Sequence, residues 1–205
     1  MASGFGKTVV AIVLSPLLGF VIGVVLMIAV HWIGANSTPR RMDRWFKQLQ
    51  FGSAALLSLG HGANDAQKTM GIIWMLLLAA SLLGPKDPLP MWVVLACQTT
   101  MGLGTLFGGW RIVKTMGMKI TKLRPISGFS ASASGAATLF LATALGVPVS
   151  TTHTITGSIV GVGSVKRLSA VRWGVAGNIV WAWILTIPCS AFIAAVAWFV
   201  SQRHL

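Results

Sequence analysis

Asp65 and Lys68 stand three residues apart in the middle of a stretch, Phe51 to Leu83, that is otherwise largely apolar. On one helical turn the two can pair. Ionisable groups at the depth of an apolar crossing are costly and usually mark an ion pathway or a coupling site. A structural ion pair joining two helical pieces is the competing explanation. Gly62-Ala63-Asn64 immediately precedes Asp65, and an unwound backbone there would expose carbonyls and amides able to coordinate an ion. A second group of polar residues is Ser150-Thr151-Thr152, two residues after Pro148. Three hydroxyls at a helix start, beside first-turn amides without helical partners, form a natural anion site that suits phosphate. Ordinary N-capping needs only one of the three. His61 and His153 each adjoin one of these groups. Each can be a hydrogen-bonded structural residue, and the near-neutral intrinsic pKa of imidazole keeps a proton relay as the alternative. His153 is counted with Asp65, Asn64 and Lys68 as a candidate for cation or proton coupling.

What holds these residues is a membrane-type chain. Of 205 residues 55% are apolar and 9% charged, against roughly 25% charged in a soluble domain; the mean hydropathy is +0.79. So few charges cannot cover a soluble domain, which excludes a water-soluble enzyme. The net charge of +13, from 16 Lys+Arg against 3 Asp+Glu, would suit a polyanionic partner. Its placement argues against nucleic acid: the cations fall in short clusters between uncharged stretches, as the positive-inside rule produces. Cys97 and Cys189 lie in apolar segments as small buried residues, and no CxxC, HExxH or His-rich tract offers a metal site. No Ser or Cys nucleophile has a clear base and acid arrangement around it, so an intramembrane hydrolase is the weakest reading.

The apolar runs predict an all-α membrane protein with about four transmembrane segments plus a helical hairpin. A first span covers residues 8–33, with 22 uncharged residues from Val9 to Val30, roughly 33 Å of helix. Residues 38–50 form a basic cytoplasmic loop with the character of a short interfacial helix. Residues 51–83, roughly 50 Å as one straight helix, exceed a bilayer core and are expected to break at residues 60–68, where Gly60 and Gly62 lie. A span at 90–110, a cytoplasmic loop at 111–127, a hairpin at 128–165 and a last span at 171–201 follow. Twelve Lys/Arg then sit at inside ends and three, Lys7, Lys86 and Arg203, at outside ends; the sixteenth is Lys68. That split is a strong orientation signal. The short second arm of the hairpin favours a re-entrant element. The Ser-rich run Ser127 to Ser134 reads as helix packing.

Gly62-Ala63-Asn64-Asp65-Ala66-Gln67-Lys68-Thr69-Met70-Gly71 and Pro148-Val149-Ser150-Thr151-Thr152-His153-Thr154 resemble the paired signatures of the inorganic phosphate transporter (Pit) family. The Gln-Lys form after the Asp is similar to the bacterial low-affinity branch, described as co-transporting metal-phosphate with protons. The resemblance covers nearly the whole chain. It implies a multi-pass inner-membrane protein with one repeat of an inverted-repeat fold, a broken helix, and a hairpin with hydroxyls at its tip. It also implies no resident cofactor, only a co-transported proton or cation. Carried over residue by residue, Ser150, Thr151, Thr152 and Asn64 would bind phosphate. Asp65 and Asn64 would hold the coupling ion, and Lys68 would stand in for a sodium ion. Complete members carry each motif twice, so one copy reads as a C-terminal half. Its expected partners are phosphate, the lipid bilayer, and an N-terminal half or a second copy. A non-transporting fragment and a passive anion channel are the alternatives.

Overall fold

The structure, a computed structural model, describes Ala2–Gln202. The side chains of residues 2–5, of Lys7 and of Arg111 are outside the description, and Arg203 of the orientation count lies outside the described residues. Six long helices follow in order: α1 (Ala2–Gly34), α2 (Pro39–Ala79), α3 (Met91–Lys114), α4 (Pro125–Ala144), α5 (Thr151–Lys166) and α6 (Trp173–Gln202). A π-helical segment, Thr115–Ile120, and a short 3₁₀ turn, Leu168–Ala170, join them. Among the described residues there is no strand. Thr8–Gly34, Met91–Trp110 and Trp173–Gln202 are long and apolar enough to cross a membrane. Their outward side chains, such as Val13, Leu106, Phe107 and Phe192, are exposed, as lipid contact requires.

Two expectations are corrected. The break at residues 60–68 is absent: α2 runs unbroken for 41 residues and absorbs the basic segment at 38–50. Two interior glycines cost a helix only about 1 kcal/mol each. The pairs that Asp65 makes with His61 and Lys68, at spacings of four and three residues, exist only on a continuous helix. The excess length is accommodated at the basic end, where Pro39 starts the helix. The loop expected at 111–127 is also mostly helical, since α3 continues to Lys114 and the π-helical segment carries on to Ile120. α2 stops at Ala80 with Ser81 at φ 57°. There Leu82 N–H returns to the Leu77 carbonyl and Ser81 N–H to that of Leu78, a Schellman closure.

The hairpin is α4 and α5. α4 ends in the same closure: Gly146 at φ +62° lets Val147 N–H reach the Ala142 carbonyl and its own N–H reach that of Thr143. Pro148 and Val149 then lead to Ser150, the N-cap of α5, whose hydroxyl accepts the His153 N–H at 3.4 Å. The Ser-rich face of α4 packs as expected. The hydroxyls of Ser130, Ser134 and Thr138 are buried and donate to carbonyls of their own helix.

α5 is gripped by α1. Gly19 and Gly23 of α1 face the backbone of Thr154 and Ser158, while Gly157 and Gly161 of α5 face the carbonyls of Pro16 and Phe20. Two small-xxx-small pairs thus interlock and leave no room for a Cβ at the crossing. Met27, Ile159, Val162 and Ile120 form the apolar core beside it. α2 lies along α4, with Gly60 against Leu139 and Phe46 edge-on to Phe129 at 5.2 Å. At the basic end, Lys166 at the foot of α5 stands near Arg124 and Asp43. Burial, then the Arg124 charge, pushes its ammonium pKa down, and Asp43 opposes them. Three of the clusters assigned to the inside therefore meet at one end of the bundle.

Candidate functional site

The hairpin tip and the middle of α2 meet. Asp65, less than one-third exposed, receives the Thr151 hydroxyl on Oδ2 at 3.0 Å and the Lys68 ammonium on Oδ1 at 3.1 Å. His61 Nδ1 lies 3.4 Å from Oδ2. The Lys68 ammonium also donates to the Val149 carbonyl at 2.9 Å, and Asn64 Nδ2 reaches the same oxygen at 3.2 Å. One turn of α2 therefore presents a carboxylate to the hydroxyl run and two donors to the main chain just before it. The continuous helix explains the aim: residues 61, 64, 65 and 68 fall on one face at spacings of three and four.

Thr151 is buried, Ser150 partly so, and Thr152 exposed. In the first turn of α5 the Ser150 hydroxyl and carbonyl take the amides of His153 and Thr154. The amides of Thr151 and Thr152 have no acceptor within the helix. They mark the positive end of the helix dipole, and the Thr151 hydroxyl at that end reaches Asp65. A cleft of about 540 Å³, lined by His61, Thr151, Thr152, Met101, Thr105 and Met116, reaches this turn. It follows α3 from Met101 and reaches Met116 of the π-helical segment, toward the basic end. Beyond the Lys68–Val149 contact a separate cleft of about 260 Å³ is lined by Asn64, Gln67, Lys68, Gly146 and Pro148. A third cleft, of about 450 Å³, is lined by Asp65, Thr69, Cys97 and Met101, so clefts border the polar contacts between α2 and the tip.

Of the residues singled out in the sequence, Asn64, Asp65, Lys68 and Thr151 are brought into one hydrogen-bonded cluster, with Ser150 and Thr152 on either side of Thr151. His153 is set apart: its ring stacks on Trp183 of α6, centroids 3.8 Å apart. Two participants were not singled out as site residues. His61 shared the helical spacing of Asp65 and Lys68, which would have identified it. The Val149 carbonyl carries no side-chain signal, although its place between Pro148 and an N-cap leaves it outside the helical hydrogen bonds. Among the described residues no group of three or more His, Cys, Asp or Glu could hold a metal ion.

The Thr151 contact gives a first test. Thr151→Val removes a hydroxyl bonded to a carboxylate, worth about 1.5–3 kcal/mol, and should lower the melting temperature of the purified chain in detergent. Thr151→Ser should melt with the parent. Equal melting of the two variants would detach the hydroxyl from the packing of the tip on α2.

A polytopic helical chain with an ionised cluster at mid-bundle, opposed to a hydroxyl-bearing hairpin tip and flanked by clefts, has the architecture of a membrane transport protein. The chain belongs to the phosphate transporter family, whose profile matches residues 1–194; this is a family of transporters, not of enzymes. It is 58% identical over 199 residues to a probable low-affinity inorganic phosphate transporter of Rhizobium meliloti, covering 97% of this chain and 60% of that protein. With the corresponding protein of Bacillus subtilis it shares 47% identity, over 96% of this chain and 59% of the relative. Among solved structures it is similar to a sodium-dependent phosphate transporter, with a TM-score of 0.81 and 25% identity, covering 98% of this chain and 67% of that one. The chain spans about 60% of the length of these curated relatives. It is a multi-pass protein of the cell membrane.

Proposed function

We propose that this chain forms part of a carrier that moves inorganic phosphate across the cell membrane, driven by a proton or cation acting at Asp65. The reading rests on the 3.0 Å bond from the Thr151 hydroxyl to Asp65. A carboxylate occupies the donor that an incoming oxyanion needs, at the positive end of α5. Phosphate and bare Asp65 therefore compete for the same hydroxyl and repel each other. Neutralising Asp65, by a proton or a bound cation, frees the hydroxyl and removes the repulsion. Substrate and coupling ion then bind together because each relieves the unfavourable charge of the other. Ser150, Thr152 and the free first-turn amides complete the phosphate cradle, and Asn64 borders it. Whether the phosphate travels with a metal ion is decided by the charge the cluster presents, and the Lys68 ammonium beside Asp65 favours the bare oxyanion.

Lys68 supports proton rather than sodium coupling. Its ammonium lies between a carboxylate oxygen and a main-chain carbonyl, the hard oxygen ligands an alkali cation would take. A tethered cation in that place leaves no vacancy for a free one. Lys68→Ala should therefore make uptake respond to sodium and flatten its dependence on a proton gradient. Unchanged sodium and pH responses in the variant would remove Lys68 from the coupling scheme. The carrier reading itself is tested in proteoliposomes: saturable uptake with counterflow supports it, and non-saturating flux without counterflow indicates a channel.

A further inference from the structure

The basic segment that opens α2 has two distinct faces. Phe46, Gln50 and Ser53, at spacings of four and three residues, form the inner one: Phe46 and Ser53 are buried, and Gln50 lies against Gly128 of α4. Arg40, Arg44 and Lys47 repeat the same spacings on another side of the helix, and all three are exposed. Phe51, 75% exposed, extends that row by one turn, and Trp45, next to Arg44 in the chain, is exposed as well. One stripe thus passes from three cations to a large apolar ring. No ion pair neutralises it: among the described residues the ion pairs are those of Asp65. Its depth is set by α1, whose apolar span Thr8–Gly34 ends with Gly34 against the Met42 side chain. The cations therefore stand where the hydrocarbon ends, and Phe51 lies on the hydrocarbon side.

We propose that the Arg40–Arg44–Lys47 row, with Phe51 beneath it, is a docking surface for an anionic phospholipid in the leaflet at the basic end. The stripe has the polarity profile of that molecule, a phosphate headgroup above an acyl chain. Each Lys or Arg beside a membrane helix strengthens the hold on anionic headgroups severalfold, and long stems bring their charges to headgroup level. Trp45 suits the same boundary. A second copy of this chain does not complement the row. Its three acids are Asp43, Asp65 and Asp87: one within the basic segment itself, one at mid-bundle, and one in the turn beyond the far end of α2. Free inorganic phosphate would meet the cations but leave Phe51 uncovered. The row lies about 27 Å along α2 from Asp65, so its occupancy is independent of the phosphate site.

Fluorescence quenching in phosphatidylcholine vesicles tests this with the full chain. The vesicles carry a minor fraction of brominated phosphatidylglycerol or, in parallel, of brominated phosphatidylcholine. Quenching of Trp45 is isolated by comparing each chain with its Trp45→Phe derivative. The glycerol lipid should quench Trp45 roughly fivefold more than the choline lipid, and millimolar inorganic phosphate should leave that preference unchanged. In the Arg40→Gln, Arg44→Gln, Lys47→Gln triple variant the preference should fall to within about 1.5-fold of unity, with quenching by the choline lipid as in the parent. A second triple variant, Lys114→Gln, Lys119→Gln, Lys122→Gln, removes the same charge from α3 and the segment after it, and should keep the preference within about twofold of the parent. Equal loss in both triple variants would mean diffuse charge and overturn the assignment. So would a preference abolished by inorganic phosphate, which marks a site for the free anion. Absence of any preference in the parent, or a Trp45 that neither lipid quenches because protein covers the row, would overturn it without reference to the charge variants.

Discussion

Asp65→Asn is expected to abolish phosphate accumulation while leaving the fold in place. The amide is nearly the same size, its oxygen can still accept the Thr151 hydroxyl, and α2 tolerates it. What it cannot do is carry the negative charge that binds a proton or cation and balances Lys68. The variant leaves the Lys68 ammonium without its counter-charge, held only by the Val149 carbonyl, and removes the competition that links phosphate entry to the coupling ion. Accumulation against a gradient should fall by about two orders of magnitude, equivalent to about 2.7 kcal/mol, whereas downhill exchange should fall less. The assay is labelled-phosphate uptake in cells expressing the variant at parental levels, with and without a proton gradient. Accumulation at the parental level would refute coupling through Asp65.

The second large effect is on folding. Gly161→Leu places a branched side chain against the Phe20 carbonyl, in a crossing where main chain meets main chain. Overpacking of a core that can shift costs about 1–3 kcal/mol; here neither partner is a flexible side-chain end, so the cost should reach or exceed the upper figure. The hairpin arm should lose its seat on α1. In a detergent melt followed by intrinsic Trp fluorescence, Gly161→Leu should unfold many degrees below the parent, and Gly161→Ala should fall between. A parental melting curve for the leucine variant would mean that the α1–α5 crossing does not hold the tip.

The residues that meet at the site could be read from the sequence, but the backbone that brings them together could not. Asp65 and Lys68 announced themselves by being ionised within an apolar run, and Ser150-Thr151-Thr152 by following Pro148. The hairpin was legible because Gly146 and Pro148 end one helix and Ser150 begins the next. The continuity of α2 was misread, because Gly60 and Gly62 permit a break without enforcing one. The intrahelical pairs to His61 and Lys68, which tip the balance, depend on side-chain geometry. The place of His153 was hidden for a different reason: its ring stacks on Trp183 of α6, and only the tertiary fold brings the two together. The glycines of the α1–α5 crossing were visible individually, but not their pairing across two helices.

The central claim is that the hydroxyl run at the hairpin tip holds phosphate once a proton or cation neutralises the carboxylate of α2. Equilibrium binding of labelled inorganic phosphate to the reconstituted chain, compared with the Ser150→Ala, Thr151→Val, Thr152→Val triple variant, addresses it directly. The account predicts saturable binding that is lost in the triple variant. Binding by the triple variant with unchanged affinity would contradict it.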